Sequence, residues 1–192
     1  AIDACRSVGV GLGPCTLPAV GHPNFQLAPG TMELGIGHHG EPGLRVEALK
    51  SADQVADDML AIVMDDHALP EGAEVAVLVS GLGATPVNEI YVLYDRIETG
   101  LAGRGIHVHR AFVGNYFTSL DMVGATLTVM ALDAELKALL DMEAMAPGLA
   151  TGHVAAPHAG AVMAPRAARR AEAVDAAPVD DRIDGPAVAR SE

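Results

Sequence analysis

The chain has no tryptophan, two cysteines and only six aromatic residues in 192, all between Phe25 and Phe117. The cysteines, Cys5 and Cys15, form no CxxC pair and no Cys/His spacing of the kind that binds zinc. Two buried thiols are therefore expected, and nothing in the pattern supports a disulfide. Basic residues are scarce, 12 against 25 acids, for a formal net charge of -13. Such a surface argues against nucleic acid or an anionic membrane as partner and says nothing about a small neutral substrate. Long apolar runs are missing too. None approaches the roughly 20 residues that span a bilayer. The first residue is Ala, not Met, and no basic-then-apolar leader follows. This points to an upstream segment that has been removed or is absent.

What the chain does have is apolar material, 50% of its residues, enough for one globular core. AIDACRS reads as the end of a helix, and VGVGLGPCTLP as a short glycine-rich strand and turn. Thr31 to Gly37 alternates like a strand. Ser51 to Ala68 carries Val55, Met59, Ile62 and Val63 at helical spacing, with Ser51 as N-cap and Asp53 in the first turn. EVAVLV, residues 74–79, is a strand apolar enough to be buried on both faces. A helix with Pro86 in its first turn presents Ile90, Leu93, Tyr94 and Ile97 and stops near Gly103 or Gly105. Strands are expected over 106–113 and 125–132, and a short helix over 133–140 capped by Asp133. After Met142, Ala, Pro and Gly dominate and aromatics vanish. Residues 1–142 are read as the folded domain. Residues 143–192 are read as an Ala/Pro-rich linker or disordered tail. The element order implies an α/β fold, a mixed sheet with helices.

The most unusual stretch is GIGHHGEPG, residues 35–43, with two histidines among four glycines. Adjacent residues of a strand point to opposite faces, so the pair is poorly suited to share a metal, and no HExxH-type spacing accompanies it. One reading is two strand-end histidines bonded to backbone. The other is a neutral imidazole acting as nucleophile toward a small carbonyl compound, oriented by Glu41. The sequence leaves both open. SGLGATP, residues 80–86, lies where α/β sheets dock ligands but matches no phosphate-loop pattern, so it reads as a turn. In 114–122, Ser119 and Asp121 suit a capped loop, with Asp121 as a possible base. His107 and His109 share one strand face toward solvent or an interface. His22, His67, His153 and His158 have no motif around them.

Three segments, taken in order and at their spacing, resemble one family. They are PCTLPAVGHPNFQLAPGTMELGIGHHGEPG, VLVSGLGATPVNEIYVLYDRI and VGNYFTSLDMVGATLTVMALDAEL. They are similar to the second domain of the dihydroxyacetone kinase K-type, substrate-binding subunit, and the resemblance covers most of Cys5 to Leu140. It implies that domain's two-layer mixed sheet with helices. In that family the histidine directly before GEPG adds its ring nitrogen to the substrate ketone, giving a hemiaminal. Residue for residue this is His39, the one catalytic and substrate-binding residue the resemblance assigns. The family usually carries an apolar residue just before it, so His38 is a departure.

The resemblance implies the substrate-binding part of a dihydroxyacetone (glycerone) kinase, a transferase that phosphorylates a short ketose. The alternatives are a kinase of a four-carbon ketose such as erythrulose, and a non-catalytic ketone-sensing regulatory module. An unrelated metal-binding α/β protein is a third reading. A preceding domain of the family supplies a general-base aspartate, a further histidine and a glycine-rich loop, and no segment here matches it. The chain is therefore expected to be inactive alone, with no metal or cofactor bound to it. ATP or ADP with magnesium is expected on a separate nucleotide-binding subunit or domain. A homodimer and a cytoplasmic location complete what the likeness implies, with neither nucleic acid nor membrane as partner.

Overall fold

The computed structural model describes residues 1–23, 25–39, 41–146 and 148–151. A short 3-10 turn, Ile2–Ala4, leads into β1 (Cys5–Gly13), so the helix end expected over AIDACRS is instead a turn running into a strand. Then follow β2 (Thr31–Leu34), β3 (Arg45–Ala48), α1 (Ala52–Asp66), β4 (Glu74–Gly81), α2 (Val87–Ala102), β5 (His107–Gly114), β6 (Val123–Ala131) and α3 (Ala134–Leu140). A hairpin, β7 (Ala144–Ala146) and β8 (Leu149–Thr151), lies within the stretch read as linker. The remainder of that stretch lies outside the described residues.

Six strands form one mixed sheet in the order β3-β2-β1-β6-β4-β5. All neighbours are antiparallel except β4 and β5, the pair joined through α2. A parallel pair needs such a crossover, because its two strands run the same way. Central β4 carries the buried valines Val75, Val77 and Val79. The register on β1 and β6 sorts the two faces. Val8 lies opposite Leu127 and Val10 opposite Ala125, all toward the helices. Ser7 lies opposite Thr128 on the other face, their hydroxyls 2.7 Å apart.

α1 and α2 stack side by side on one face of the sheet, giving two layers. Ser51 caps α1 through a full capping box: its hydroxyl accepts from the Gln54 amide while the Gln54 side chain accepts from the Ser51 amide. That arrangement satisfies two of the helix's free donors. Val55, Met59, Leu60 and Val63 of α1 meet Ile90, Leu93, Ile97 and Leu101 of α2 above the sheet valines. Residues three and four apart share a helix face, which is why the apolar spacing located both helices. Pro86, with its fixed φ of -60°, occupies the N-cap of α2, one position before the first turn. Asp133 caps α3 by accepting from the Leu136 amide.

β3 was not expected from the sequence. Its four residues are mostly exposed and show no clean alternation. β2 ends at Leu34, three residues short of the strand expected to reach Gly37, because Gly35 turns the chain at φ +84°. The histidine pair therefore stands in a loop, and strand alternation does not govern it. Cys15 is buried and Cys5 half-buried, and both are free thiols.

Candidate functional site

After the turn at Gly35, the chain folds back over the sheet face opposite α1 and α2. Gly9 makes this possible. A Cβ there would stand 2.5 Å from the Ile36 carbonyl oxygen. With only hydrogen at that place, Ile36 lies on β1 and joins Cys15, Leu82 and Met122 in a second small apolar cluster. The histidine loop is thus anchored from below by an apolar plug. It is closed across its neck by the Gly37 amide, which donates to the Glu41 carbonyl at 2.9 Å.

Glu41 folds inward and grips His39 twice. One carboxylate oxygen accepts from the His39 backbone amide at 2.9 Å, and the other faces the ring Nδ1 at 3.1 Å. The carboxylate occupies the space where a side chain at Gly37 would begin. This glycine makes room for Glu41 rather than for a ligand. The backbone amides of Glu41 and His39, then the His39 ring, hold the Glu41 carboxyl below the usual carboxylate range. An ionised carboxylate only accepts, so it selects the tautomer with hydrogen on Nδ1 and leaves the lone pair of the neutral ring on Nε2. The His39 side chain is 82% exposed. His39 is thus an exposed imidazole held on one side by Glu41.

His38 behaves differently. Its ring stacks on Phe117, centroids 3.7 Å apart and planes 24° from parallel, and meets the His39 ring edge-on at 5.5 Å. Its Nδ1 is buried without a hydrogen-bond partner among the described residues. Phe117 belongs to the loop between β5 and β6, a contact that no local pattern foretells. The buried hydroxyl of Ser80 holds that loop, accepting from the Tyr116 and Phe117 amides at 3.0 and 2.8 Å. Asp121 accepts from the Thr16 amide at 2.7 Å, so it ties two loops together. Buried Thr85 accepts from the Gly124 amide and donates to its carbonyl. SGLGATP is therefore more than a turn. Ser80 braces the loop that carries Phe117 and Thr85 braces the start of β6, and the signal for them was their place beside glycines at a strand end.

The other histidines stand apart from this loop. His109 Nε2 lies 2.8 and 3.0 Å from the two carboxylate oxygens of Asp141, which Arg110 also contacts, so it serves to dock α3. His22 contacts the Pro23 carbonyl. His67 ends α1, and its Nε2 is buried without a partner. His153 and His158 lie outside the described residues. Among the described residues no group of three or more His, Cys, Asp or Glu is placed to hold a metal ion, and no helix is long and apolar enough to cross a membrane. A pocket of about 400 Å³ opens elsewhere, between Leu12, Lys50, Thr85 and Glu89, with no wall from the histidine loop.

Residues 1–148 match the model of the Dak1 domain. The "PTS-dependent dihydroxyacetone kinase 2, dihydroxyacetone-binding subunit DhaK" of Listeria innocua is 44% identical over 135 residues, 70% of this chain and 41% of that protein. The "L-erythrulose 1-kinase" of Mycolicibacterium smegmatis is 42% identical over 142 residues, 71% of this chain and 25% of that one. Among solved structures, the "Dihydroxyacetone kinase operon co-activator Dha-DhaQ" superposes with a TM-score of 0.67 at 29% identity, covering 73% of this chain and 44% of that one. The chain spans less than half the length of these relatives. On the family match and the shared mixed sheet, it belongs to the Dak1 domain family.

Proposed function

We propose that the chain is the substrate-binding part of a dihydroxyacetone (glycerone) kinase and holds the ketose as a hemiaminal on His39. The observation that supports this most is the pairing of Glu41 with Nδ1, which leaves the lone pair on Nε2 of an exposed ring. In the proposed step, Nε2 forms a bond to the carbonyl carbon. The carbonyl π electrons move onto oxygen, which takes up a proton, while Nδ1 releases its proton to solvent past Glu41. The net change adds N–H across C=O, and nothing is oxidised. A three-carbon ketose gains at most about 1.5 kcal/mol per heavy atom from non-covalent contact. A covalent anchor makes up that deficit and rejects glycerol, which has no carbonyl. Holding the ketose in one pose then leaves phosphoryl transfer to positioning and charge stabilisation.

On this reading the phosphoryl donor belongs to a separate module, carrying ATP or ADP with magnesium or acting in a phosphotransferase relay. The full-length protein works as a homodimer. The experiment is NMR with dihydroxyacetone labelled with carbon-13 at its carbonyl. A tetrahedral carbon signal coupled to a histidine nitrogen is expected with the native chain and is expected to vanish in His39→Ala. A signal that survives the substitution, or none with the native chain, overturns the proposal. The chain with ATP and magnesium alone is expected to form no ketose phosphate.

The likeness to an L-erythrulose 1-kinase favours a second substrate, the four-carbon ketose. Adding erythrulose to the labelled adduct separates the two, because the better substrate displaces the other at the lower concentration. The likeness to a co-activator favours a regulatory role for the same ketone site. That role predicts adduct formation without phosphorylation even when the full-length protein is assayed with a nucleotide-binding kinase subunit.

A further inference from the structure

We propose that His38 is a positioning residue for His39: its ring, seated on Phe117, fixes the plane in which the neighbouring imidazole stands. The proposal rests on the reading of His39 as the ketose-bearing ring. Three observations carry it.

The His38 ring is held by stacking. It lies 3.7 Å from Phe117 at 24°, and its Nδ1 is buried without a partner among the described residues. An imidazole held in this way works through its faces and edges, not its nitrogens. Second, the backbone that carries Phe117 is held in place. Ser80 accepts from its amide and from that of Tyr116, and the Ser119 amide donates to the Leu82 carbonyl at 2.7 Å. Third, His38 meets His39 edge to face, 5.5 Å between centroids and 83° between planes. His39 is largely exposed, and among the described residues its ring has a single polar tether, Glu41. One hydrogen bond lets a ring swing about it. A second contact from a different direction is what holds Nε2 in an attacking pose. The loop between β5 and β6 thereby reaches the nucleophile through two rings.

The test uses the 192-residue chain labelled with nitrogen-15 at histidine. Without ligand, long-range proton–nitrogen spectra report the His39 tautomer and ring-current shifts. With labelled dihydroxyacetone, the same samples report the adduct. His38→Ala is expected to lose the His39 ring-current shift, blur its tautomer, and lower the ketose affinity about three- to tenfold, the range that one aromatic pair contributes. His38→Phe is expected to restore both readouts, because it keeps the stack without the nitrogens. Phe117→Leu is expected to reproduce the loss from the other side.

The proposal is overturned if His38→Ala leaves both readouts as in the native chain. It is equally overturned if His38→Phe fails to restore them, since the nitrogens would then be what matters. Should His38→Ala not fold, His38→Phe and Phe117→Leu decide the question between them. If His39→Ala still forms the adduct, the ketose reading fails alone, and the ligand-free spectra still decide the role of His38.

Discussion

A single proton position carries the chemistry at the smallest scale. Glu41 stays ionised because backbone amides reach it before the imidazole does. Its carboxyl is shifted downward. The tether is therefore complete above the ordinary carboxylate value, near pH 4.3, and is lost as pH falls through the lower folded value. An acid titration followed by carbon-13 NMR on the Glu41 carboxyl should place its protonation below the ordinary carboxylate range, and protonation within that range would contradict the tether. Gly37 is the residue on which this geometry turns. Gly37→Ala places a methyl group where the carboxylate lies, and is expected to cost about tenfold or more in adduct formation. Since the loop lies outside the helix-facing core, the melting temperature should stay close to that of the parent. An unchanged adduct would show that Glu41 has another place to sit.

Among the elements, α1 and α3 are held by different physics. α1 has five buried residues and a capping box, so propensity, cap and packing agree. Ser51→Ala should lower stability by about 1 kcal/mol in a denaturant titration. α3 has seven residues and none buried. It is docked by charge: Lys137 to Glu74, and His109 and Arg110 to Asp141. The hydrogen bond from His109 holds the Asp141 carboxyl below its ordinary range, and that from Lys137 does the same for Glu74. Carboxyls lowered by folding contribute stability at neutral pH and lose that contribution as pH drops below about 4. Exposed pairs are also screened by salt. Hydrogen exchange at pH 3 should therefore release α3 while α1 and α2 stay protected. Simultaneous loss of all three helices would contradict this division.

The molecule as a whole has two apolar clusters with separate duties. The larger one joins α1 and α2 to the sheet, and the smaller one, with Ile36, Leu82 and Met122, lies under the histidine loop on the other face. Leu127→Ala in the first should cost about 2–5 kcal/mol of global stability. Met122→Ala in the second should disturb the adduct signal out of proportion to its effect on unfolding. Equal ratios of the two effects in both variants would mean that the site is supported by the fold as a whole rather than by its own plug.

The residues by themselves determined whatever depends on neighbours within a turn or two. The faces of α1 and α2, the Ser51 and Asp133 caps and the buried run of β4 were all legible, because helical spacing, capping and alternation are short-range rules. The family motifs added the role expected of His39, and the local reading raised Glu41 as its partner without deciding the contact. Only the tertiary structure decided the rest. β3 exists because β2 offers it an edge, not because RVEA favours a strand. The 3-10 turn at Ile2–Ala4 gives way at Cys5 because β6 pairs with the chain there. Gly9 is there for Ile36, and Phe117 for His38, each pair brought together across the sheet. Such contacts are fixed by pairing register and loop path, which link segments distant in the chain and leave no periodic trace within either one.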